Sequence, residues 1–227
     1  MSTDKEEMIR KPALIVFICL AVVFSGACSL TQVSSFFGAY PEESGALLFQ
    51  DGFENPSSGW DRVRTDSGMT DYEQGRYRIV VDESNADYWS NPGLDFTDVV
   101  VEVEAEKLGG PDDNNFGILC RYQDVKNFYF FIISSDGYYG LGKVENGKQS
   151  LLEPPQMYFS ESILPGDQIN RLRVECKGTR LALIVNNVPV AEAEDAAFQD
   201  GDVGLIVGSF DEPGVDIAFD SFLVTVP

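Results

Sequence analysis

The run VVVEVEAEK (Val99 to Lys107) constrains this chain more than any other segment. In an extended backbone its strict alternation puts Val99, Val101, Val103 and Ala105 on one side and Glu102, Glu104 and Glu106 on the other. Period-two runs recur: RYRIVVD, FGILCRYQ, FYFFIIS, NRLRVECKG, RLALIVNN, DVGLIVGSF and VDIAFDSFLVTV. Their β-branched and aromatic content marks them as strands, and EQG, SNPG, GGPDDN, SSDG, ENGK, LPGD and DEPG between them are turn signals. Beyond the amino-terminal region no stretch repeats its apolar residues at helical spacing. Many short strands joined by tight turns make an antiparallel sandwich or barrel, so the expected fold is all-β.

Parity sorts the strand faces. Phe116, Ile118, Cys120 and Tyr122 share one face of FGILCRYQ, and Leu172, Val174 and Cys176 share one face of RLRVECKG. One run breaks the pattern. FYFFII (Phe128 to Ile133) is apolar on both faces, so one face fills a core and the other needs a separate explanation.

The first 28 residues stand apart from the fold. Lys5, Arg10 and Lys11 form a basic region, Ala13 to Phe24 an apolar one, and SGAC a small-residue cleavage region, which is the anatomy of a secretory signal peptide. As a helix the twelve apolar residues span ~18 Å against a bilayer core of ~30 Å, although extension to Leu30 gives ~27 Å and leaves an uncleaved anchor as an alternative. Gly26, Ala27 and Cys28 resemble the end of a bacterial lipobox, with Ser25 where Leu is usual. That resemblance implies a diacylated Cys28 and a protein held on the outer face of a bacterial membrane. The expected division is a signal peptide over 1–27, a lipidated amino terminus and flexible tether over 28–45, and one domain over 46–227.

Of four cysteines, Cys19 lies in the apolar region and Cys28 is the anchor, which leaves Cys120 and Cys176. In an oxidising compartment an even pair points to a disulfide; two buried thiols are the alternative. Both fall on apolar strand faces and could meet inside a sandwich or across adjacent strands. With no histidine in the chain, a structural zinc site is not expected. Three of the 16 basic and three of the 37 acidic residues belong to the signal, so the net charge of −21 is carried by the exported part. Such a surface repels phosphate backbones, and nucleic acid is not an expected partner. Oligomeric state is not legible.

The order of motifs resembles the concanavalin A-like lectin/glucanase superfamily, especially laminin-G-like jelly rolls and the 3-keto-disaccharide hydrolase-type domain. The segments that carry the resemblance are LLFQDGFENPSSGW, NNFGILCRYQDVKNFYFFIISSDGYYGLGKVENGK, INRLRVECKGTRLALIVNNVPV and GDVGLIVGSFDEPGVDIAFDSFLV. It implies a β-sandwich jelly roll in which one sheet carries a glycan groove, with the strands from Asn115 to Tyr139 near its centre. Sugars are bound by aromatic platforms beside planar polar groups. Trp89, Tyr129, Tyr138 and Tyr139 are the expected platforms, and Asp113, Asn114, Arg121 and Asn127 the expected polar partners. Core filling by the same aromatics is the competing reading.

The resemblance also raises catalysis, since laminarinase-like members carry alternate carboxylates on one strand. Glu102 and Glu106 have that spacing, but Glu104 replaces the middle Asp and no Trp flanks the motif. A solvated strand face is the plainer reading, and without histidine a Ser or Cys triad of the usual form is excluded. In many such jelly rolls a structural Ca²⁺ ties the first strand to the last. Here Asp51, Glu54, Asp216 and Asp220 are the candidates, with Asp112, Asp113 and Asn114 a second possibility. The expected function is carbohydrate binding by a membrane-anchored lipoprotein. A protein-interaction module and a glycoside-processing enzyme are the alternatives.

Overall fold

A computed structural model describes residues 44–152 and 155–227. The signal peptide, Cys28 and nearly all of the tether therefore lie outside the described residues. Sixteen strands and no helix occur among the described residues. In chain order they begin with β1 (Leu47–Asp51), β2 (Val63–Thr65), β3 (Gly68–Glu73), β4 (Arg76–Val81) and β5 (Asp87–Ser90). β6 (Val99–Gly109), β7 (Asn114–Asp124), β8 (Asn127–Ile133), β9 (Tyr138–Glu145), β10 (Lys148–Leu151) and β11 (Tyr158–Phe159) follow. β12 (Asn170–Lys177), β13 (Arg180–Val185), β14 (Val188–Glu194), β15 (Asp202–Ser209) and β16 (Val215–Thr225) complete the domain.

The sequence places the turns. Gln74-Gly75, Asn146-Gly147 and Asn186-Asn187 are two-residue connections between consecutive strands, and all six residues have φ between +49° and +78°. Those dihedrals match the twist of an antiparallel pair, and Asn and Gly adopt them at least cost. All strand pairings are antiparallel. One sheet has nine strands in the order β14-β13-β12-β6-β16-β4-β3-β2, with β1 also paired to β16. The other has seven, β10-β9-β8-β7-β15-β5, with β11 paired to β9.

The core lies between the sheets. Val99, Val101, Val103 and Ala105 of β6 and Leu172 and Val174 of β12 meet Phe116 and Ile118 of β7, Phe131 and Ile133 of β8 and Leu205 and Val207 of β15. Each fully buried side chain of this size contributes roughly 1.5–3 kcal/mol. Cys120 of β7 and Cys176 of β12 form a disulfide with Cα atoms 6.9 Å apart. Of the two arrangements open from sequence, the bond is the one that crosses the sandwich and joins the sheets.

One parity expectation fails. Arg121 has φ +52° and marks a bulge, seen as register shifts between Cys120 and Asp124 and between Asp202 and Gly204. The extra residue turns the Arg121 side chain inward and sends Tyr122 to the opposite face from Cys120, where its ring lies 5.5 Å from Phe128.

Candidate ligand-binding face

The outer face of the seven-stranded sheet accounts for FYFFII. Tyr129, Phe131 and Ile133 enter the core, whereas Phe128, Phe130 and Ile132 join Leu119 and Ile206 in a second apolar cluster on the outside. Trp89, Tyr122, Val144, Leu151 and Met157 pack around it and remain partly exposed. Register explains how a face so apolar stays thin. One row across the strands reads Trp89, Ile206, Gly117, Ile132, Gly140, and the next Gly204, Leu119, Phe130, Gly142, Leu151. Large side chains alternate with glycines and lie over them: a Cβ on Gly142 would stand 2.3 Å from Phe130 Cζ.

One row of this face brings a carboxylate and an amide together. Asp87 of β5, Gly208 of β15 and Asn115 of β7 are direct register partners. Asn115 Nδ2 donates to Asp87 Oδ1 at 3.4 Å, and a Cβ on Gly208 would stand 2.0 Å from that oxygen and 2.3 Å from Asn115 Nδ2. The two side chains thus lean together over the space the glycine leaves. Asp87 keeps a solvent-open side, yet crowding by protein raises its carboxyl pKa against the lowering effect of Asn115. A depression of about 150 Å³ borders Asp87, Trp89, Phe128, Phe130, Val144 and Gln149. A larger one of about 510 Å³ lies among Asp113, Ser134, Asp136, Tyr138, Met157 and Phe210. Burial raises the Asp113 carboxyl, reinforced by Asp136, Asp211 and Glu212.

The residues expected to hold a ligand divide. Trp89, Tyr138 and Asp113 border these depressions. Tyr129 does not: it is fully buried, its hydroxyl donates to Asp195 Oδ1 at 2.6 Å, and its ring packs 5.0 Å from Phe198. Tyr139 packs against the inter-sheet core. Arg121, 1% exposed, donates to the carbonyls of Thr97 (3.2 Å), Gly178 (2.7 Å) and Phe198 (2.9 Å) and to Asp98 (3.1 Å), so it staples loops together rather than facing solvent. Asn114 is buried, donates to Pro111 O and Ser135 Oγ and accepts from Ser135 N. Asn127 closes a turn, with its amide bound to Asp124 and to the Asn146 N–H. Asp87, Asn115, Phe128, Phe130 and Gln149 escaped the sequence reading. The signal for three of them, an aromatic or polar residue at every second position of β5 and β8, was present.

Glu102 and Glu106 lie on the other sheet, on its outer face. Arg173 holds Glu102 at 2.6 Å, Arg171 holds Glu104 at 2.5 Å, and Arg76 pairs with Glu106. The pairing continues outward: Arg173 and Arg180 share Glu175, at 3.0 and 2.7 Å, and Arg180 also binds Glu192 at 2.9 Å. Burial would raise the Glu175 carboxyl, but Arg180 and Arg173 outweigh it and hold it low. This is a lattice of matched charges, not a pair of carboxylates converging on a cleft.

The Ca²⁺ candidates do not converge either. Asp51 accepts from Phe53 N at 2.8 Å, from Trp60 Nε1 at 3.0 Å and from the Ser58 hydroxyl. Asp216 takes Arg78 on both oxygens, Glu54 is exposed, and Asp220 accepts from Ser221 N at 2.6 Å. Asp112 is paired to Lys107 and Asn114 is spent on its own loop. Among the described residues no three His, Cys, Asp or Glu side chains stand as a metal-binding group, so these residues do not fit the expected ion.

No family model and no curated protein sequence matches the chain. Solved structures do. A carbohydrate-binding module, CBM66, from Bacillus subtilis is similar over 74% of this chain and 96% of its own, at 20% identity and a TM-score of 0.60. The catalytic domain of an endo-1,3-β-glucanase (laminarinase) from Thermotoga petrophila is similar over 81% and 98%, at 9% identity and 0.57. A Bacillus licheniformis β-glucanase is similar over 82% and 100%, at 10% identity and 0.56. At such identities the likeness is one of architecture. With its two antiparallel sheets closed on one core, the chain has the concanavalin A-like jelly-roll fold.

Proposed function

We propose that this protein is a membrane-anchored extracytoplasmic lipoprotein whose jelly roll binds carbohydrate on the outer face of the seven-stranded sheet. One observation carries the reading: Trp89 stands half-exposed beside the Asp87 carboxylate at the edge of a depression in an otherwise apolar face. A ring next to a hydrogen-bonding group suits the apolar C–H face and hydroxyl rim of a sugar. The likeness to a carbohydrate-binding module supports it, and the two glucanase neighbours make glycan processing the nearest alternative. Binding is preferred because Glu102 and Glu106 are engaged in ion pairs on the opposite sheet.

Titration calorimetry against hits from a glycan array tests the reading. Trp89→Ala should weaken affinity roughly 10- to 30-fold, since loss of a stacking ring removes on the order of 1.5–2 kcal/mol of contact. Failure of the unaltered protein to bind any glycan would end it. Anchoring rests on the basic and apolar amino-terminal regions and on SGAC. Mass spectrometry of membrane-extracted protein should find a chain that begins at a diacylglyceryl-modified Cys28; an intact Met1 refutes the anchor. A protein-interaction role draws on one feature, the exposed aromatics Tyr138, Tyr158 and Phe159 at the β9–β11 edge. Capture of a defined protein partner that Phe159→Ser abolishes, without glycan binding, would favour it.

A further inference from the structure

Asn115 is unusual on the outer face of the seven-stranded sheet. It is 6% exposed, its only side-chain hydrogen bond among the described residues is the long one to Asp87, and its Oδ1 receives none. No buried side-chain oxygen or nitrogen among the described residues lacks a partner, so that oxygen opens onto solvent at the floor of the face. Asp87 is in the matching position. It has no cation within ion-pair distance among the described residues and only one weak donor, and its crowded carboxyl is raised. Asn115 sits at the floor of an apolar surface and Asp87 stands exposed beside it, both with hydrogen-bonding capacity that no protein group uses among the described residues.

We propose that Asp87 and Asn115, leaning together over Gly208, form a hydroxyl-reading subsite that selects a neutral sugar presenting adjacent hydroxyl groups. The proposal rests on the carbohydrate reading above and names the chemistry of that face. A carboxylate only accepts, whereas an amide both donates and accepts. Side by side they match two neighbouring hydroxyls: one donates to Asp87 while the other accepts from Asn115 Nδ2 or donates to its Oδ1. Trp89, two residues along β5 from Asp87 and on the same face, supplies the adjacent apolar platform. The ligand's charge follows from its surroundings. Asp87, Asp113, Asp136, Asp211 and Glu212 make no ion pair among the described residues and outnumber Lys126 and Lys148 at the turn end, so the balance of charge disfavours uronate, sulfate and phosphate groups. Gly208 is part of the device. A methyl group there would occupy the space into which both polar tips lean, and it would displace them without touching the core face of β15.

The test is an array of xylo-, cello- and β-1,3-gluco-oligosaccharides with polygalacturonate as the anionic member. The xylo- and cello-oligosaccharides, whose 1,4-linked rings carry adjacent hydroxyls, are also presented after mild periodate oxidation, which cleaves the carbon–carbon bond between those carbons; the interior rings of the 1,3-linked chain have no adjacent pair and resist it. The protein should bind a neutral probe with intact adjacent hydroxyls, lose it after oxidation and ignore polygalacturonate. Gly208→Ala and Asp87→Ala should each weaken binding roughly tenfold or more with Tm nearly unchanged. If both variants bind normally while Trp89→Ala does not, the subsite is wrong and the carbohydrate-binding face stands. Undiminished binding to the oxidised probe, or a preference for polygalacturonate, also overturns the subsite. No binding to any member overturns the subsite, and no binding on the general glycan array overturns the carbohydrate reading with it.

Discussion

Removal of the Cys120–Cys176 bond should cost this domain a large fraction of its stability. The two cysteines are 56 residues apart, and a loop of that length restricts the denatured chain by about 4 kcal/mol in the chain-entropy picture. Total stabilities of single domains are ~5–15 kcal/mol, so the loss is felt at once. Because the bond crosses from β7 to β12, a paired Cys120→Ala, Cys176→Ala variant also leaves two small gaps between the sheets, within the buried core. For a domain of this size about 4 kcal/mol corresponds to a fall in Tm of roughly 8–16 °C. Urea unfolding of the oxidised, reduced and doubly substituted proteins measures it directly. The m-value should rise on reduction, since an uncrosslinked denatured chain exposes more surface. A stability change below ~1 kcal/mol, or two alkylatable thiols in the unreduced protein, would refute the reasoning.

Two further perturbations separate buried from surface electrostatics. Burial pushes the Asp202 carboxyl up to about 6, despite hydrogen bonds from the Val203 and Gly93 N–H groups, with Asp95 adding repulsion. A folded-state pKa above the unfolded value means that the native state holds the proton longer. This group therefore costs nothing below pH ~4, and its cost grows to about 3 kcal/mol as pH rises through 6. Carbon-detected NMR should place the Asp202 midpoint near 6, and Asp202→Asn should flatten the fall in stability between pH 4 and 6; a midpoint below ~4.5 contradicts this. Glu102→Gln and Glu106→Gln should each cost about 1 kcal/mol or less by thermal denaturation, because all four partners are about a third exposed. Any loss of glycan affinity or turnover in those variants would put the carboxylates back in a site.

The sandwich was legible because its signals are local. Alternation in β6 and β12, and Asn or Gly where two-residue turns need positive φ, depend only on neighbours in sequence. The inward cysteines followed from the same parity. Arg121 shows where that reasoning stops. A bulge inserts one residue, and parity beyond it inverts; nothing in GILCRYQD announces the bulge, because its cause is remote. Arg121 finds acceptors on Thr97, Gly178 and Phe198, brought together only by the folded loops. Tyr129 misled for a related reason. Both faces of FYFFII are apolar, so sequence fixes neither which face is inner nor that Asp195, 66 residues away, receives the tyrosine hydroxyl. Asp87 and Asn115 were missed because their meaning lies in register: they come together across β15, a strand from the far end of the chain.

The two outer faces solve opposite problems, and the contrast bears on function. On the nine-stranded sheet, arginines from β4, β12 and β13 are placed against glutamates from β6, β12 and β14, so that a strongly acidic chain neutralises much of that surface. Lys126 and Lys148 stand near the turn end of the seven-stranded sheet, while Asp113 and Asp136 at its other end make no ion pair among the described residues. Sheet faces left apolar invite association, and a protein without a use for such a face would be expected to cover it with charge, as this one has done on the other side. Instead the large side chains are laid over glycines, which keeps the face shallow and leaves Trp89, Asp87, Asn115 and Gln149 as its aromatic and polar groups beside the depression. A shallow, largely apolar floor with more carboxylates than lysines around it suits an uncharged, extended polymer better than an anionic one. That is the physical ground for seeking the ligand among neutral glycans first.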